Sequence, residues 1–121
     1  MAEKSIVLSK NATNIATQMK ESGLFSDALS AAHFGMAYAI KYYWNEIGSL
    51  EQIKALDTVY DGSGNTYNIG SLDADIPMIM SSLYPGCESP YNIARILMCY
   101  GLNQISDLLE DGRLLPIYKN M

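Results

Sequence analysis

A compact, mainly α-helical domain with a short N-terminal strand and a small β-hairpin is the fold this sequence predicts, and three observations carry the prediction. Five stretches place apolar residues three and four apart, and each opens on a capping residue or closes on glycine. Only three short segments are β-branched enough to read as strands. The chain has 121 residues, 49% hydrophobic and 17% charged, which is enough apolar material for one core and too much for a disordered chain.

The elements follow in order. Lys4 to Ser9 is apolar and β-branched, with no second strand directly after it, so it pairs with a distant strand or with a second subunit. Ser9 caps a helix carrying Ala12, Ile15, Ala16 and Met19 at helical spacing, and Gly23-Leu24 stops it with glycine in the left-handed conformation. Ser26 caps a second helix that runs to Gly48. One of its faces holds Leu29, Ala32, His33, Met36, Ile40, Tyr43 and Ile47, and another holds Phe34, Tyr38 and Tyr42. A helix apolar on most sides is buried on most sides, at the centre of a bundle or across a subunit interface.

Ser49-Leu50-Glu51-Gln52 has the spacing of a capping box for a short helix to about Leu56. Thr58-Val59-Tyr60 and Thr66-Tyr67-Asn68-Ile69 then flank Asp61-Gly62-Ser63-Gly64-Asn65, the pattern of a hairpin with a glycine-rich loop. A helix with Asp73, Asp75 and Pro77 in its first turn runs to about Leu83. Ser89-Pro90 opens the last helix, which carries Ile93, Ile96, Leu97, Tyr100, Ile105, Leu108 and Leu109 and stops at Gly112. Residues 1–121 thus form a single domain: a strand-helix-helix unit over 4–47, a helix, hairpin and two helices over 48–112, and an irregular tail over 113–121.

Charge narrows the function. The net charge of −5 is uneven: residues 1–56 balance five Lys against five Asp/Glu, whereas 57–121 set three Lys/Arg against eight Asp/Glu. The second half repels nucleic acid, so a DNA-facing surface has to be N-terminal. Cys87 and Cys99 are too few for a disulfide scaffold. No apolar run reaches the roughly 18 residues of a membrane span. A cytoplasmic protein with reduced thiols and no membrane association is expected.

The chemistry-bearing residues read mostly as structure. His33, the only histidine, has no Cys, Asp or Glu three or four residues away to complete a metal face, so a hydrogen-bonded core or interface role is expected. Cys99, in Leu97-Met98-Cys99-Tyr100, reads as a buried inert thiol. The loop from Asp61 alternates oxygen ligands, but Thr66 and Leu72 stand where a calcium loop needs Gly and Glu. Asp73 and Asp75 read as helix caps. No phosphate-binding loop or nucleophile elbow occurs. No cofactor, metal or catalytic residue is assigned, and an enzyme built around His33 ranks behind a binding function.

Strand, helix, glycine turn and helix within 47 residues is the order of a ribbon-helix-helix subunit, in which two copies pair their N-terminal strands and the ribbon enters the major groove. Outward-facing Ser5, Val7 and Ser9 are poor base readers, and phosphate contacts fall to Lys4, Lys10 and Lys20. The nine tyrosines, and the run Tyr42-Tyr43-Trp44, read as core or interface material. Ile6 and Leu8 of the strand, with Phe34, Tyr38 and Tyr42 of the apolar helix, are the expected homo-oligomer interface.

The step Ile6-Val7-Leu8-Ser9-Lys10, the turn Ser22-Gly23-Leu24, the loop Asp61 to Tyr67 before Ile69-Gly70, and the late Tyr100-Gly101-Leu102 together make the chain resemble a divergent DndE. That family comprises small helical proteins associated with bacterial DNA phosphorothioate modification. The resemblance, over most of residues 4–110, implies a ribbon-helix-helix-like oligomer that contacts DNA through lysines. It also implies a non-catalytic accessory role in a DNA-modification or defence system, beside other proteins of that system. The alternative is an oligomeric protein-interaction module with no direct nucleic-acid binding, whose apolar helix 26–47 and acidic second half dock a basic partner.

Overall fold

The computed structural model describes residues 4–110. It is mainly helical: β1 (Ser5–Val7), α1 (Lys10–Glu21), α2 (Ala28–Tyr42), α3 (Trp44–Ile47), α4 (Leu50–Leu56), β2 (Thr66–Asn68), α5 (Ile76–Leu83) and α6 (Pro90–Glu110), with one 3-10 turn at Ile69–Ser71. The predicted caps at Ser9, Ser49 and Ser89 are all made. Ser9 Oγ accepts the Ala12 N–H and Ser89 Oγ the Asn92 N–H, both at 3.2 Å. Ser49 and Gln52 form both halves of the capping box. Gly23 closes α1 with φ 86°, a conformation that costs any residue with a Cβ. The predicted stop at Gly112 and the tail lie outside the described residues.

Two expectations are corrected. The small antiparallel pair exists, but residues 66–68 pair with β1 and not with Thr58–Tyr60. The register is Ser5↔Asn68, Ile6↔Tyr67 and Val7↔Thr66. Thr58–Tyr60 forms a turn because Asp57 and Tyr60 are drawn toward α6, as described below. The single helix expected from 26 to 47 is also broken. It starts one residue late because the Asp27 carboxylate, not Ser26, accepts the Ser30 N–H (2.7 Å). It is interrupted at Tyr43, where the backbone leaves helical geometry. Tertiary packing explains the break: Tyr43 stacks edge-on against Tyr100 of α6 and Trp44 against Tyr84 after α5, both with centroids 5.6 Å apart. One continuous helix would not present both rings to those neighbours.

The core is organised around α6. Ile93, Ala94, Ile96, Leu97, Met98, Cys99, Leu102 and Ile105 are all buried, so the helix is enclosed on nearly every side, chiefly by α1, α2 and α5. α2 and α6 share the most extensive helix contact in the molecule, and they approach backbone to backbone at Gly35 and Gly101. A Cβ on Gly101 would overlap the Gly35 carbonyl oxygen and stand 2.5 Å from its carbonyl carbon. Much of the apolar surface of α2 is therefore covered within the chain, by α6.

Candidate interaction surface

Arg95 is the one basic residue between 57 and 110, and it stands in the apolar run Ile93-Ala94-Arg95-Ile96-Leu97. A guanidinium there needs partners, because burying a charge without them is costly. Three-residue spacing puts Asn92 and Arg95 on one face of α6, opposite the end of α4. Arg95 Nη2 pairs with Asp57 Oδ1 at 2.9 Å and its Nε donates to Asn92 Oδ1 at 3.0 Å. The Asn92 side-chain amide donates to the same Asp57 oxygen at 3.0 Å. The closed triangle holds Arg95 nearly buried, with its side chain 12% exposed.

The triangle stands between two clefts. One, of about 370 Å³, has an apolar floor of Ile53, Ile93 and Ile96 beneath Lys54, Asp57 and Glu88. The other, of about 350 Å³, is lined by all three residues of β1 and by Tyr60, Gly62, Asn92 and Arg95. Strand side chains alternate between faces, so a groove that touches three consecutive residues runs along the strand edge. Burial of its ring pushes the Tyr60 phenol up to about 12, with Cys99 and Tyr100 adding to the shift and Arg95 opposing it. Tyr60 is therefore neutral at any physiological pH.

Among the described residues, the outward backbone groups of β1 are left unpaired. The Ile69 N–H donates to the Lys4 carbonyl and the Leu8 N–H to the Asn65 carbonyl, both at 3.0 Å, so residues 4, 6 and 8 aim their backbone groups at β2. By the same alternation, the N–H and C=O groups of Ser5 and Val7 point away, and they have no hydrogen-bond partner among the described residues.

The glycine-rich loop works as a strap on α1. The Gly64 N–H donates to the Leu8 carbonyl and the Asn65 N–H to Thr13 Oγ1, both at 2.9 Å. Asp61 Oδ1 accepts the Lys10 N–H at 3.2 Å. The Ser63 hydroxyl, then the Lys10 and Ser63 amides, hold the Asp61 carboxyl below its ordinary value. A Cβ at Gly64 would overlap Thr13 Oγ1 and crowd the Ser9 and Leu8 carbonyls.

The other sequence-predicted residues fall as follows. His33 joins α2 to the α5 entry. Its Nδ1 donates to the Leu29 carbonyl (3.0 Å) and its Nε2 accepts the Asp73 N–H (3.2 Å), which defines a neutral tautomer. Asp73 accepts the Asp75 N–H at 2.9 Å in a turn before α5, whereas Asp75 makes no side-chain cap. Cys99 is buried and accepts the Ser9 N–H at 3.5 Å. Among the described residues no group of three or more His, Cys, Asp or Glu is placed to hold a metal ion. Nor is any described helix long and apolar enough to cross a membrane.

Of the expected interface residues, Ile6, Leu8 and Tyr38 are spent on this chain's own core, at 2%, 0% and 5% exposure. Side chains so enclosed offer a second subunit little area. Phe34 is half-buried and Tyr42 is 46% exposed, beneath the Lys41 ammonium. Lys4, Lys10 and Lys20 are exposed. Lys10 and Lys20, ten residues apart on α1, are separated by about 15 Å along the axis and roughly 80° around it. The Ser30 amide and hydroxyl hold the Asp27 carboxyl below its ordinary value, and the Lys20 charge, like that of Lys10 at Asp61, adds the smallest part.

The fold and this surface define a small helical domain with a two-stranded sheet whose outer edge, unpaired among the described residues, lies beside a partly buried arginine. No family model, curated protein or solved structure matches the chain.

Proposed function

We propose that this protein is a non-catalytic binding module that engages a partner polypeptide along the free edge of β1. One observation carries the reading: the Ser5 and Val7 backbone groups lie unpaired beside a groove that all of β1 lines. An exposed strand edge is a template for a further strand, and proteins that do not use such an edge blunt it with charge, proline or a covering element. Lys4 flanks the edge, but Ser5, Ile6 and Val7 do not block it.

The test uses Val7→Pro, which removes an N–H that no described group needs and sets a ring in the path of an incoming strand. Capture from the source cell on wild type and on Val7→Pro, with circular dichroism confirming that both fold, should yield a stoichiometric partner on wild type alone. A partner held by both proteins, or by neither, overturns the reading.

A second reading follows from the DndE resemblance: an accessory protein of a DNA-modification system that contacts DNA through Lys4, Lys10 and Lys20. Its support is that all three side chains are exposed. The carboxylates beside two of them make it the weaker reading. Gel-shift titration with duplex, nicked and single-stranded DNA at low salt tests it. Binding that falls steeply with salt, and is abolished by Lys10→Glu with Lys20→Glu, supports direct contact. Absence of binding at low salt removes it.

A further inference from the structure

We infer that the strand taken up by the β1 edge is an acidic one: an extended peptide segment whose backbone pairs with Ser5 and Val7 and whose Asp or Glu side chain meets Arg95. The inference rests on the binding-module reading above and names the chemistry of its partner.

Two features of the groove carry it. First, among the residues that line it, Ser5, Ile6, Val7, Tyr60, Gly62, Asn92 and Arg95, the only charge is the guanidinium. Asp57, which neutralises Arg95 from behind, lines the other cleft. Second, the guanidinium is committed on only part of its fork. Nε is held by Asn92 and Nη2 by Asp57, while Nη1 has no partner among the described residues. It is not a buried orphan either, because no buried side-chain nitrogen or oxygen of the described residues lacks a partner. Nη1 therefore reaches solvent, and the only one of the two clefts that Arg95 lines is the groove beside β1. The Asp57–Asn92 brace fixes the plane of the guanidinium, so an incoming carboxylate meets a preorganised donor.

The three interactions a bound strand would make agree in kind. Ser5 and Val7 each offer a donor and an acceptor in the ladder geometry of an antiparallel or parallel pair. Tyr60, which stays neutral, lines the same groove, as does Gly62. A basic segment would set its ammonium or guanidinium against Arg95 with no acid lining the groove to receive it.

The test is selection of a phage-displayed library of random nonapeptides on the full-length protein, with Val7→Pro as the counter-selected target. The selected peptides should be proline-poor, alternate apolar and polar residues, and share an Asp or Glu at one position. Replacing that acid by its amide should weaken binding to wild type at least about tenfold, about 1.4 kcal/mol. Arg95→Gln should erase the difference between acid and amide peptides, and Arg95→Lys should keep part of it. Circular dichroism and the melting temperature show whether each variant is folded, and the acid-to-amide ratio is read only within one folded protein.

Peptides that need the Val7 N–H but carry no shared acid overturn the acidic partner and leave the edge reading intact. Failure to recover any peptide sensitive to Val7→Pro overturns both. A concentration-dependent dimer in light scattering that Val7→Pro abolishes would mean that a second copy occupies the edge, which also overturns the acidic partner.

Discussion

Replacing Gly101 by alanine is the sharpest test of how this domain is assembled. In an isolated helix the change favours folding by about 1 kcal/mol, because glycine in a helix interior carries a large entropic cost. Here the added Cβ would occupy the place of the Gly35 carbonyl oxygen and come within 2.5 Å of its carbonyl carbon and 3.1 Å of its Cα. What lies in the way is the backbone of α2, which cannot swing aside as a side chain could. To clear the carbonyl oxygen the two helices must part by more than about 1 Å, and a gap of that size forfeits about half or more of each dispersion contact along the seam. Overpacking costs about 1–3 kcal/mol where side chains can adjust and more where they cannot. Set against the helix-propensity gain, the expected net loss is about 2–4 kcal/mol, which in a domain of this size lowers Tm by roughly 6–15 °C.

Urea and thermal unfolding of Gly101→Ala beside Gly70→Ala would measure it. A Cβ at Gly70 meets nothing within 4 Å, so that control should stay within about 0.5 kcal/mol of wild type. A Gly101→Ala protein as stable as wild type, or more stable, would refute the close crossing and the core arrangement built on it.

Two further outcomes are expected. Tyr84 is buried, its hydroxyl donates to the Ile47 carbonyl at 2.6 Å, and burial pushes its phenol well above the ordinary value. Tyr84→Phe leaves that carbonyl without its donor and should cost about 1–3 kcal/mol in urea unfolding; a neutral result would mean that the bond is not formed. Asp61 has a folded pKa below its unfolded value of 3.8, so its contribution is complete above 3.8 and is lost as pH falls through the folded value. Stability of Asp61→Asn relative to wild type, followed from pH 6 down to pH 2, should therefore show a deficit at pH 6 that shrinks on acidification. A deficit that stays constant would separate the loss from ionisation.

The helices were legible in the sequence because their signals are local. Ser9, Ser49 and Ser89 cap helices through neighbours three residues away, and Gly23 stops one through its own backbone. What was not legible depends on distant partners. Nothing near Thr66 says that its strand pairs with Val7, because a three-residue strand carries too little pattern to choose between Thr58–Tyr60 and a segment some 60 residues away. Nothing within Tyr42-Tyr43-Trp44 says that Tyr100 and Tyr84 will draw the rings apart and break the helix.

The site was missed for the same reason. Asn92 and Arg95 read as an ordinary helical pair until Asp57 arrives from α4. The signal available was Arg95 itself, a single cation in an apolar run, which calls for a partner somewhere. Apolar excess on a helix likewise does not say whether its cover comes from another subunit or, as for much of α2, from α6 later in the same chain.

The antiparallel pair of β1 with β2 also sets an order of events. During synthesis β1 emerges first, and its partner follows only after two helical hairpins' worth of chain. Closing a loop of about 60 residues costs on the order of 3–4 kcal/mol in chain entropy, whereas α1 and α2 meet across a short turn. Local helix packing should therefore lead and the sheet should follow, so that Ile6→Ala speeds unfolding and leaves the folding rate nearly unchanged in stopped-flow chevrons. A slowed folding limb would place the strand in the nucleus instead. On the expected order, the outer edge of the sheet is the last part of the fold to take shape, after the helical body is in place.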